Sequence, residues 1–63
     1  MSAGEILIIG GKRDRQTVKF LGRAPMIDGD NYVYARVEGV EVYALVGIGI
    51  ASIAQTIRAR RNR

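Results

Sequence analysis

Tyrosine, arginine, glycine and carboxylate are the residue types in this chain that could do chemistry or make specific contacts. There is no histidine and no cysteine. General acid-base catalysis most often uses histidine, and the carboxylates Glu5, Asp14, Asp28, Asp30, Glu38 and Glu41 are spread over expected strand ends and turns with no obvious pairing. Ser52 falls in an expected helix with no base at hand. The expectation is therefore a protein that is not an enzyme, with no catalytic residues, no metal ligands and no cofactor. Gly10-Gly11-Lys12 has the glycines and the cation that a phosphate-cradling loop needs, but neither a Ser or Thr after the lysine nor a helix after the glycines. A plain hairpin loop accounts for it.

Two groups of side chains suit binding. Tyr32, Tyr34, Arg36, Tyr43 and Leu45 fall on one side of an expected β-ribbon, and tyrosine and arginine are the types enriched at interface hot spots. These five are the candidate protein-binding residues, and truncating Tyr34 or Tyr43 is expected to leave the fold standing. The competing reading is a half-exposed sheet surface, or one packed under the loop that carries Met26 and Ile27. The second group is Arg58, Arg60, Arg61 and Arg63. They are a solvated helix end opposing the negative pole of the helix dipole, or the alternative candidate site, for nucleic acid, which would show steep salt dependence, or a contact for acidic protein surfaces or anionic lipid.

The elements that must position these groups follow from periodicity. With Glu38-Gly39 as a two-residue turn, Val37 faces Val40, Ala35 faces Val42 and Val33 faces Ala44 on one side of the ribbon. Arg36 then faces Glu41, Tyr34 faces Tyr43 and Tyr32 faces Leu45 on the other, and a slip of one residue would destroy every pairing. Such a turn wants φ > 0 at its first position or at both, and Glu38 is a poor residue there. Glu5 to Ile9 and Gln16 to Leu21 read as two earlier strands joined by the polar loop 10–15. A longer loop, Gly22 to Asp30, holds Pro25 and an Asp28-Gly29 turn signal. Ile50, Ile53, Ala54 and Ile57 recur at i, i+3, i+4 and i+7, which is one stripe of a helix. The predicted fold is α+β, a small antiparallel sheet of about four strands in the order β-β-β-β-α, with one C-terminal helix packed on one face. Its predicted core is Val33, Ala35, Val37, Val40 and Val42 against the isoleucine stripe.

Length and charge set the outer limits. A chain of 63 residues reads as a single domain 1–63, because a unit this size buries only about 60% of its extended-chain surface. Without disulfide or metal support its stability is expected to be marginal, and a partner or a second copy would supply burial. The net charge of +4 is concentrated in the basic tail 58–63, since residues 1–57 carry six bases against six acids. The start lacks a secretion signal's basic opening, with Glu5 ahead of a short apolar run. Val42 to Ile57, as a helix, would span roughly 24 Å, short of a bilayer core of about 30 Å, so a membrane partner is not expected.

The segment Ile8-Ile9-Gly10-Gly11-Lys12-Arg13-Asp14-Arg15-Gln16-Thr17-Val18 resembles the opening of a class of short bacteriophage-encoded proteins of unassigned function. Those open with a hydrophobic strand, Gly-Gly, two variable residues and Asp-Gly, and continue to a tyrosine-containing strand and a terminal helix. Gly10, Gly11, Asp14 and Val18 match, while Arg15 stands where that pattern has glycine. The resemblance implies a viral accessory or host-modulating factor, acting in the host cytoplasm by contact with a host protein. Self-association and a nucleic acid bound through the arginines are the alternative partners.

Overall fold

The computed structural model of the chain describes residues 5–61, Arg61 by its backbone alone. Five strands and one helix form: β1 Ile6–Ile9, β2 Thr17–Val18, β3 Met26–Ile27, β4 Asp30–Val37, β5 Val40–Leu45 and α1 Ile50–Arg61. The α+β class and the C-terminal helix are as predicted.

The sheet is mixed, which corrects the all-antiparallel expectation. Its order is β2-β1-β5-β4-β3, and β1 runs parallel to β5, with Leu7 opposite Val42, Ile8 opposite Tyr43 and Ile9 opposite Ala44. All four residues of β1 are buried. An unbroken apolar run is what a strand covered on both faces requires. The β4–β5 hairpin keeps all six predicted pairs, from Val37 with Val40 to Tyr32 with Leu45. Glu38 and Gly39 both have positive φ, 52° and 79°, so the turn takes the type I′ form despite the unsuited glutamate.

The remaining strands differ from expectation. The second strand stops at Val18, and the presumed loop 22–30 contains β3, joined to β4 by another turn with positive φ at Asp28 and Gly29. Since β2 and β3 hold opposite edges, four strand spacings apart, residues 19–25 must bridge about 19 Å measured on a flat sheet. Residues 19–22 cross one face of the curled sheet, where Leu21 and Gly22 meet the Tyr43 hydroxyl, and residues 23–25 then run along the outer edge of β4. Arg23 and Pro25 carbonyls accept from the Tyr34 and Tyr32 amides on the outer side of β4.

Two cores result. On the helix side Leu7, Ile9, Val42 and Ala44 pack with Ile53 and Ile57, and Ala35, Val37, Val40 and Ile48 border them. Val33 and Ile50 were predicted core members but are exposed, at 49% and 73%. The arrival of β1 beside β5 explains this, because Leu7 and Ile9 fill the space under the isoleucine stripe that Val33 was to occupy. The opposite core is Ile6, Ile8, Tyr32 and Tyr43, with Val18, Ile27, Tyr34 and Leu45 around it.

Candidate protein-contact site

The tyrosine side of the ribbon is thus interior, which corrects its assignment as an open contact surface. Tyr32 and Tyr43 are fully buried and their hydroxyls are tied to backbone. Tyr32 Oη donates to the Gly10 carbonyl at 2.8 Å. Tyr43 Oη donates to the Gly22 carbonyl at 2.6 Å and accepts from the Leu21 amide at 2.7 Å, pinning the crossing segment to the sheet. Tyr34 and Leu45 are half-buried, and Arg36 alone of the five is exposed. The Tyr34 ring meets Phe20 and Tyr43 edge-on, with centroids 5.7 and 6.0 Å away, and its hydroxyl donates to Glu41 Oε2. Burial, then the charges of Asp30, Asp14 and Asp28, push the Tyr32 phenol up. The hydrogen bond to Glu41 leads the causes that raise Tyr34. The reading that packs the tyrosines under the loop carrying Met26 and Ile27 holds for Ile27, while Met26 is exposed.

The double glycine is explained by the same packing. A Cβ on Gly10 would strike Ile48 and Leu45, and one on Gly11 would strike the Tyr32 hydroxyl and Asp30. The Gly10 amide donates to Asp14 Oδ1 at 2.7 Å, closing the loop on itself, and Arg13 pairs with Asp28 of the β3–β4 turn. That guanidinium holds the Asp28 carboxyl below its ordinary range.

Of the C-terminal arginines whose side chains are described, Arg58 and Arg60 do not lie together. Arg58 turns to the β4–β5 turn, where its Nε and Nη2 both donate to Glu38 Oε2, at 3.0 and 2.6 Å. Hydrogen bond and charge together raise the Arg58 pKa. Arg60, two residues on and therefore roughly 200° around the helix, points away from Arg58 and makes no ion pair among the described residues. The Arg61 side chain and all of Arg63 lie outside the described residues.

Arg60 instead borders a trough on the flank of α1. One part, of about 710 Å³, has Leu7, Val40 and Ile57 as its floor, Thr56 and Ala59 as its helical wall, and Arg15 and Arg60 at its rim. A second concavity of about 600 Å³ shares Thr56 and continues past Ser52 to Gly10, Gly11 and Asp14. The structure therefore brings together Leu7, Arg15 and Arg60, residues far apart in sequence. Arg15 has a φ of 71°, in the left-handed region that costs an ordinary L-residue about 1–2 kcal/mol. Its Nε lies 3.4 Å from Asp14 Oδ2, in a pair whose members are 65% and 43% exposed and which therefore binds the arginine only loosely.

Comparison with protein-family models, curated proteins and solved structures finds no match. Among the described residues, no helix is long and apolar enough to cross a membrane. Sequence reasoning passed over Arg15 and Leu7 because Arg15 sits in a loop that looked merely polar and Leu7 in the strand before it. The one available signal was an arginine standing where a glycine would suit the turn.

Proposed function

We propose that this chain is a non-enzymatic protein-binding module that acts by contact, through the trough on the flank of α1. The observation that carries this reading is the trough itself, a concave surface with an apolar floor and a cationic rim. Concavity and mixed chemistry of this kind suit a docked segment better than a flat charged surface does. The likeness of the opening to short phage proteins agrees with an accessory role toward a host protein.

Ala59→Trp tests it, because Ala59 is exposed on the wall and a bulky ring there fills the trough without touching either core. Proteins cross-linked to the wild-type chain in host lysate should be lost with the variant while its thermal melt is unchanged. Equal recovery by both chains would refute the site. Exposed Val33, Val46 and Ile50 favour a second reading, self-association, since Val33 lies opposite Ala44 on the helix side of the sheet and Ile50 extends the helix stripe turned to that side. Sedimentation that depends on concentration, abolished by Ile50→Glu, would support that reading in place of the first.

A further inference from the structure

We propose that the partner of the α1 trough is an acidic, apolar protein segment in extended form, whose carboxylate sits between Arg15 and Arg60. This rests on the protein-binding reading above and names the chemistry of its partner. From Ser52 to Arg60 the helix flank rises about 12 Å, which is room for roughly four extended residues. At one end of that length the floor is Leu7, Val40 and Ile57, and the rim carries two guanidiniums from unrelated elements. Carboxylates are the natural partners of paired arginines, since the planar fork of each guanidinium matches the carboxylate oxygens. An apolar residue beside the carboxylate would cover the floor.

The charge pattern separates this occupant from a nucleic acid. A phosphate backbone repeats its charge at every nucleotide and wants cations along its whole track. Here Arg15 and Arg60 are the only cations lining the trough among the described residues, and Arg15 Nε already lies 3.4 Å from Asp14 Oδ2. A segment with a single acidic side chain fits so short a cationic stretch, whereas a polyanion would find too few partners there. The backbone of Arg15 adds a second observation. A left-handed φ is tolerated at an arginine that could have been a glycine, and its side chain lines the same cavity as Arg60. Local strain of this kind concentrates where a side chain is held for contact.

The test uses the full chain, immobilised, and a random twelve-residue peptide library displayed against it. Enriched peptides should carry Asp or Glu within two residues of Leu, Ile, Val or Phe. The strongest, made synthetically, should shift the amides of Leu7, Val40 and Ala59 and should bind the Arg15→Gln, Arg60→Gln double variant at least tenfold more weakly. Changing the peptide's own carboxylate to the amide should cause a similar loss on the wild-type chain and little further loss on the double variant. Enrichment of neutral peptides, or equal affinity for the double variant, would overturn the proposal. Binding that Ala59→Trp blocks but the double variant does not would overturn the acidic partner and keep the protein-binding reading, whereas binding that neither blocks would remove both. A twelve-nucleotide oligothymidylate that shifts the same amides, with no peptide enriched, would overturn it in favour of nucleic acid.

Discussion

Replacing Tyr43 by phenylalanine isolates the contribution of one buried hydroxyl. The ring stays in place, so packing against Tyr34 and the β1 isoleucines is kept and only two hydrogen bonds are lost, to the Gly22 carbonyl and from the Leu21 amide. Each intramolecular bond contributes about 0.5–1.5 kcal/mol net, and a stranded, poorly solvated partner adds to the loss, so the expected destabilisation is about 2–3 kcal/mol. A domain of this length has roughly 3–9 kcal/mol in total. The midpoint of thermal unfolding should fall by about 8–16 °C for a 2 kcal/mol loss. Urea denaturation at an unchanged slope would measure the change, and amide exchange at Leu21 should accelerate beyond the global effect, because that amide loses its acceptor. Tyr34→Phe is the control: its hydroxyl bonds Glu41 at a half-exposed position, and its loss should stay within about 0.5 kcal/mol. If Tyr43→Phe cost no more than Tyr34→Phe, the crossing segment would not be held by that hydroxyl and the account of the second core would fail.

Other perturbations address the loop and the phenols. Gly11→Ala should destabilise by about 2 kcal/mol or more, since the new Cβ combines a positive φ with a collision against Tyr32 and Asp30, whereas Gly22→Ala, with φ 93° and open space, should lose about 1 kcal/mol; equal losses in urea titrations would contradict the packing explanation. Arg15→Gly should raise stability by about 0.5 kcal/mol, because relief of the left-handed strain exceeds the added freedom of the unfolded chain, and a fall in the urea midpoint would contradict this. The Tyr32 and Tyr34 phenols both ionise above their ordinary value of 10.0 in the folded chain, so their contribution is complete below about pH 10 and is lost as pH rises through the folded values. Absorbance titration of tyrosinate should show late ionisation coupled to unfolding, and two phenols titrating freely near pH 10 in a folded protein would oppose it. Asp28 has the opposite sign: its stabilisation is present above the ordinary carboxylate value of 3.8 and is lost as pH falls through the lower folded value, an effect that Asp28→Asn should remove from an acid titration.

Cross-strand logic made the β4–β5 hairpin legible in every pair, because six side-chain matches had to agree at once. The helix was equally readable from its isoleucine stripe, and it starts at Ile50 as the periodicity required. The parallel β1–β5 pairing was not readable, since it joins segments more than thirty residues apart with no turn chemistry between them. Nor was β3, whose two residues are shorter than any periodicity can report. The inverted reading of the tyrosines follows from the same gap. Val and Tyr alternate in β4 and β5, and alternation alone says only that two faces differ, not which one meets water. Ile6-Leu7-Ile8-Ile9 contained the missing information: a strand apolar on both sides demands a sheet covered on both sides. Reading that run as a constraint on its neighbours would have placed Tyr32 and Tyr43 inside.

Coverage of both faces also limits where this chain can bind. The helix occupies one side of the sheet and residues 19–22 cross the other, and among the described residues a concave surface remains on the flank of α1, beside Leu7 and the hairpin loop. Arg15 lies at that junction, and there stability and contact make opposite demands. Glycine at position 15 relaxes the backbone but empties one side of the rim, so Arg15→Gly should be the more stable protein and the weaker binder. A merely structural loop residue would show no such opposition. If Arg15→Gly were stabilised and bound its peptide with undiminished affinity, the strained backbone at this position would have no role in recognition, and Arg60 alone would have to hold the partner's charge.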